Sequence, residues 1–380
     1  MFGKKIPAIP VALAVFVVAL LGASGLAAAN GGGQGIPGAV YVMTNNSSGN
    51  AIMAFNRAAN GTLAMLGTFP TGGMGFGTGA DPLGSQDALV LSPDGHFLLA
   101  VNAGSNDISV LQAGHAGLSV MSKIASGGTE PVSIALYKNL VYVVNAGGTP
   151  NIYGFALDSA GMLRSIPGSS RPLAGGTSAS PAQISFTPDG SYLAVTEKGT
   201  NQIDTYRVLP NGMTVGPTTS PSNGMTPFGF AFGGMGAVVV SEAFGGGAGM
   251  GAASSYRVTD TGTLKTVSAS VGDTQTSPCW LVTTNNGRYA FAINAASATI
   301  SLYGVQAGGA LALLDATAGS TGDGSTPLDA ALTASGQFLY VNDAGTGSIS
   351  AFEVGSDGSL TPMAATSAGL PQNVQGIAAE

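Results

Sequence analysis

One unit recurs seven times between about Gly38 and Glu380, and it constrains this chain more than any other feature. Each copy reads as a Pro-led or polar step, a short apolar strand, a Gly-bearing turn, an apolar strand ending in Asn or Glu, and two further strands around another turn. The clearest copies are Ser92-Pro93-Asp94-Gly95-His96-Phe97-Leu98-Leu99-Ala100-Val101-Asn102 and Thr187-Pro188-Asp189-Gly190-Ser191-Tyr192-Leu193-Ala194-Val195-Thr196-Glu197. A period of roughly 45 to 50 residues holding four short strands marks a β-propeller, because one such sheet cannot bury both faces alone and a ring of them can. The expected fold is all-β: a seven-bladed β-propeller with four antiparallel strands per blade.

The second strands end at Asn45, Asn102, Asn145, Glu197, Glu242, Asn294 and Asn342. The runs before them, such as Leu140-Val141-Tyr142-Val143-Val144, suit strands buried on both faces. The first copy lacks a first strand, since Val40-Tyr41-Val42 opens at the second. Val374-Gln375-Gly376-Ile377-Ala378 resembles the first strands elsewhere, such as Val132-Ser133-Ile134-Ala135. A C-terminal strand closing the first blade is therefore predicted, which removes both sheet edges.

Residues 1–29 read as a signal peptide: Lys4 and Lys5, an apolar stretch from Val11 to Leu21, then Ala27-Ala28-Ala29 before a cut near Asn30. Residues 30–37 form a Gly-rich linker, and 38–380 a single propeller domain. Export to the periplasm or beyond is expected, with no membrane span after cleavage. Without the leader, 10 basic residues face 19 acidic ones, which argues against nucleic acid or an anionic membrane as partner. A monomer is expected, with a small-molecule ligand. Cys279 is the only cysteine and reads as a packing residue, so ring closure must come from strand pairing.

Two rings of side chains should meet at one mouth of the central channel. One is the Asn/Glu ring above. The other stands near the start of each first strand: Asp87, Ser133, Gln183, Gly229, Trp280, Asp329 and Gln375. The Asn members suit loop capping. Glu197 and Glu242 are the candidate catalytic pair, because two neighbouring carboxylates raise one pKa and equip the pair for proton transfer. Lys198, Asp87, Gln183, Trp280 and Asp329 are the candidate substrate-binding residues. Trp280 either stacks on a ring-shaped ligand or fills the pore. Lys198 either neutralises the pair or attracts an anion.

Other chemistry fails on count and position. His96 and His115 are the only histidines, and both lie on turns at the far end of the blades, so neither a His triad nor a His metal cluster serves the mouth. No metal and no cofactor is expected. Two loops exceed the repeat, Pro70 to Pro82 and Phe244 to Ala253; they are lids over the mouth or tolerated insertions.

The Ser-Pro-Asp-Gly-x-Phe/Tyr-Leu-x-Val-Asn copies, with Leu339-Tyr340-Val341-Asn342, resemble the lactonase-type seven-bladed propellers. That family includes propeller-type 6-phosphogluconolactonases and carboxymuconate cyclases, and it is similar to the YVTN repeat proteins. The resemblance implies a mouth site with His, Arg and Glu. Glu197 matches the glutamate, whereas Pro131-Val132-Ser133-Ile134 and Pro181-Ala182-Gln183 stand where the histidines and arginine would fall. Two functions follow: an exported lactonase-like propeller that binds or hydrolyses a small lactone or sugar-type molecule at the mouth, or a non-catalytic propeller that presents loops to a protein or surface partner.

Overall fold

The structure is a computed structural model that describes residues 1–3 and 38–380, apart from Thr78, Ala80 and His115. Most of the expected signal peptide and the whole linker, 4–37, lie outside the described residues, as does His115. The described residues from Gly38 to Glu380 form one body.

Seven antiparallel sheets make up that body. Each has four strands or a split outermost strand, as in blade 3, where Leu163–Ser165 and Arg171–Pro172 share the work of one. The second strands bury both faces because blades flank them: Leu193, Ala194, Val195, Thr196 and Glu197 are all buried. Tight turns with a left-handed glycine, such as Gly61 and Gly212, join third to fourth strands. Tyrosines on second strands reach those turns in the next blade. Tyr142 Oη donates to Gly212 O at 2.8 Å and Tyr340 Oη to Gly61 O at 2.6 Å.

The tail closes the ring as the sequence predicts. Ile377–Ala379 pairs antiparallel with Gly38–Met43, with Val42 opposite Ile377 and Val40 opposite Ala379. The seven innermost strands then touch in an unbroken circle around the axis.

A β-bulge recurs at the start of five innermost strands, between Pro131 and Ser133, Pro181 and Gln183, Pro227 and Phe230, Pro278 and Trp280, and Pro327 and Asp329. A bulge re-aims side chains at the end of a ladder. The residue before each of these prolines is left-handed: Glu130 (φ 58°), Ser180 (45°), Thr226 (58°), Ser277 (58°) and Thr326 (46°). They stand at the starts of their strands as a polar rim around the mouth.

Register corrects two ring members. Pro131, Pro181, Pro227 and Pro278 pair with Asn145, Glu197, Glu242 and Asn294, and Pro327 pairs with Asp343. Blade 7 therefore places Asp343, not Asn342, in the ring, and Asn342 pairs with Asp329. In blade 2, Leu89 pairs with Ala100 and the Val101 amide bonds Ala88 O. Ala88 thus holds the place that Gln183 holds in blade 4, and Asp87 stands one step earlier.

Candidate functional site

The second-strand ring faces the seams between blades. Glu242 accepts from Gly224 N at 2.8 Å in the loop before its blade, from Ser270 Oγ at 2.7 Å and from Ser254 Oγ. Glu197 accepts from Gly175 N at 3.1 Å and from Thr200 Oγ1. Both glycines permit the approach: a Cβ would lie 2.2 Å from Glu242 Oε2 at Gly224 and 2.4 Å from Glu197 Oε2 at Gly175. Asn102 works alike, donating to Ser109 Oγ at 2.8 Å and accepting from Thr71 Oγ1 at 2.7 Å.

The carboxylate that acts on Glu197 is Asp204, and each ring glutamate takes its donors from its own seam. Each blade offset turns one carboxylate into its own seam. Burial pushes Glu197 up to about 7, with help from the neighbouring Asp204 carboxylate.

The channel mouth is filled from within. Leu83 to Asp87, just before the first strand of blade 2, enters the axis and bonds to most of the blades around it. Gln86 N donates to Ala182 O at 3.0 Å, Ser85 Oγ to Val132 O at 2.8 Å, and Ile134 N to Asp87 O at 2.9 Å. Trp280 Nε1 and Gln375 Nε2 both donate to Ser85 O at 2.8 Å, and Leu83 N donates to Gln375 Oε1 at 2.9 Å. Gln86 bonds both backbone groups of Leu281. The plug leads out of the first long loop, which is tied to blades 1 and 2. Phe76 N donates to Asn45 Oδ1 at 2.9 Å and Met74 N to Ser105 Oγ at 2.8 Å.

The other expected binding residues divide around this plug. Trp280 is fully buried, edge-on to Phe228 at 5.3 Å, so it packs the pore rather than meeting a ligand. Gln183 donates to Asp87 Oδ2 at 2.6 Å and accepts from Phe230 N at 2.6 Å. Burial raises Asp87 to about 6. Asp329 is held well above the usual carboxylate range by burial, with repulsion from Asp87 adding to it, and its Oδ1 accepts from Ala330 N. These three residues sit together beneath the mouth.

Lys198 alone of the expected set stands over the plug. Its ammonium donates to Gly84 O and lies 4.7 Å from the centre of the Phe228 ring. Burial lowers its pKa, opposed by the carboxylates of Asp81 and Glu130. Lys198 is only half-buried, and so are Glu130 and Cys279. Cys279 is a free thiol pushed up by burial, consistent with a packing role. An ammonium, two carboxylates and a plug carbonyl thus share the exposed mouth.

The sequence reading missed Asp81, Glu130 and the plug itself. One signal was available. Blade 2 begins Gly84-Ser85-Gln86-Asp87-Ala88 where blades 3 to 7 place a left-handed residue followed by Pro, so polar Gln86 stands in place of that proline.

Residues 238–372 match the family model described as Lactonase, 7-bladed beta-propeller. The chain has the fold of the lactonase-type propellers. A putative 6-phosphogluconolactonase from Bacteroides fragilis superposes with a TM-score of 0.68 at 20% identity, covering 89% of this chain and 97% of that one. The periplasmic gluconolactonase of Pseudomonas aeruginosa gives 0.67 at 16% identity, over 90% and 99%. A putative 6-phosphogluconolactonase from Bacteroides uniformis gives 0.66 at 19%, over 89% and 99%. No curated protein matches the sequence. At these identities the likeness of this chain to its neighbours is one of fold, and its chemistry must be argued from its own mouth.

Proposed function

We propose that the chain is an exported, monomeric lactonase-type propeller that binds and hydrolyses a small lactone or sugar-type molecule over its plugged mouth. The observation that carries this reading is the Lys198 ammonium, fixed on Gly84 O and Phe228 with Glu130 within charge range at a half-exposed position. The lactonase fold supports it from a second direction.

In this reading Lys198 faces the lactone carbonyl oxygen and stabilises the charge that develops there, a role in which one fixed donor contributes about 10²- to 10³-fold. Glu130 takes a proton from the attacking water. The water oxygen bonds the carbonyl carbon, the ring C–O bond breaks, and the ring oxygen takes the proton. The hydroxy acid formed then ionises, releasing one proton per turnover at neutral pH.

A pH-indicator assay over a lactone panel tests the site. Lys198→Met and Glu130→Gln are each expected to lose about 100-fold or more in kcat. Loss of turnover in Glu197→Gln and Glu242→Gln, with Lys198→Met unaffected, would move the chemistry to the seams. No turnover of any lactone by the wild type sinks the reading. The mature N-terminus of secreted protein, read by mass spectrometry, tests export.

A further inference from the structure

We infer that the mouth selects an uncharged, hydroxyl-rich lactone and rejects its phosphorylated counterpart; this rests on the lactonase reading above. Three observations converge on it.

The first is charge. Lys198 already donates to Gly84 O and already faces Asp81 and Glu130. A phosphate brings roughly −1.5 to −2 charges and calls for Arg forks or helix N-termini. The described helices here are three-residue 3₁₀ turns. Lys123 is paired with Asp107 at 3.5 Å, and Arg171 donates to the carbonyls of Thr214, Gly168 and Ser170. A phosphoryl group at the mouth would meet carboxylates first.

The second is the rim. Four of the five left-handed residues that precede the first-strand prolines carry hydroxyls: Ser180, Thr226, Ser277 and Thr326. Ser180 is exposed and the other three are half-exposed. Their shared backbone conformation repeats around the axis, so neutral donors and acceptors encircle the mouth. A polyol can exchange water for such groups without a charge to desolvate.

The third is a cavity of about 510 Å³ bordered by the rim residue Thr326 with Gly77, Gly79, Ala344, Gly345, Gln372 and Asn373. That size falls within the range of small-molecule sites, about 300–1,000 Å³. None of the lining side chains is charged.

The test compares glucono-δ-lactone with 6-phosphoglucono-δ-lactone on the full chain, with glucose and glucose 6-phosphate as binding probes by calorimetry. The expected kcat/KM favours the unphosphorylated lactone by about 10-fold or more, and Asp81→Asn narrows that ratio several-fold by removing one carboxylate. A phosphorylated lactone preferred, or used equally, overturns the inference and leaves the lactonase reading standing. If neither lactone is hydrolysed, the lactonase reading falls and binding decides: glucose bound more tightly than its 6-phosphate supports the neutral mouth, whereas the reverse order, or no binding of either, overturns it.

Discussion

Gln86 Oε1 accepts the amide of Leu281 at 2.9 Å while its Nε2 donates to the Leu281 carbonyl at 2.8 Å, across 195 residues of chain. Elsewhere in the ring a side chain on one inner strand serves the next strand's amide. Ser133 Oγ accepts from Ile184 N at 3.1 Å, and Gln183 Oε1 from Phe230 N at 2.6 Å. Blade 5 has Gly229 at that place and so no side chain to offer. The plug supplies the missing partner, and the absent Cβ supplies its room, since one would lie 2.1 Å from Gln86 Oε1.

Gln86→Ala should therefore destabilise the ring by about 2–4 kcal/mol, because it leaves a buried N–H and C=O of Leu281 unpaired. Gly229→Ala should cost about 1–3 kcal/mol by overpacking, since the new carbon also falls 2.8 Å from the Cys279 carbonyl. Urea midpoints measure both. A Gly229→Ala variant as stable as wild type would show that the plug yields easily.

Deleting Gln372 to Glu380 should abolish cooperative folding. It removes the strand paired with Gly38–Met43, and it removes Gln375, whose amide holds Ser85 O and Leu83 N in the pore. Both the ring closure and the plug lose their partner in one cut. A truncated chain melting near the full-length temperature would refute closure by the tail.

The ring was legible because its cause is local. Each blade repeats its own strand pattern and turn chemistry, so seven copies and a displaced first strand could be counted. Which way a ring side chain points was not legible. Glu197 and Glu242 occupy equivalent places, yet a carboxylate in this ring finds its donors in the loop of the preceding blade, a partner no spacing announces. The one-residue offset of Asp343 escaped for a related reason: Asn342 and Asp343 are both polar, and only the pairing of Pro327 with Asp343 decides between them. The plug escaped because its bonds join Ser85 and Gln86 to residues nearly 200 positions or more away as well as to near neighbours.

Stability should fall as pH rises from about 5 to 8. Burial raises Glu197 to about 7, Asp343 to about 7 and Asp87 to about 6, whereas unfolded carboxyls titrate near 4. Between those values the folded protein holds more protons than the unfolded chain, so linkage favours folding at the acid end and the advantage is lost through the folded pKa values. Glu197→Gln keeps an acceptor for Gly175 N and removes the titration. It should flatten the profile and raise stability at pH 8 by on the order of 2 kcal/mol. Urea midpoints that climb steadily from pH 5 to pH 8 would contradict the burial assigned to these groups.

Asp343 differs from the other two ring acids by one methylene, and the difference leaves it short. Its Oδ2 accepts from Ser350 Oγ at 2.6 Å, while its Oδ1 is buried without a partner. Glu197 and Glu242 reach a glycine amide in the preceding loop. The glycine at the matching place before blade 7 is Gly324, three residues ahead of Pro327 as Gly224 is ahead of Pro227. Gly324 is exposed and left-handed (φ 75°), and a Cβ built on it meets nothing within 4 Å, so this loop is free to adjust. Asp343→Glu should lengthen the carboxylate toward that loop, bring it a backbone amide and stabilise the protein by about 1 kcal/mol, with the gain read as a shift in urea midpoint. A loss of stability would mean that the loop before blade 7 cannot turn an amide toward the ring, and that the shorter side chain is the one this seam requires.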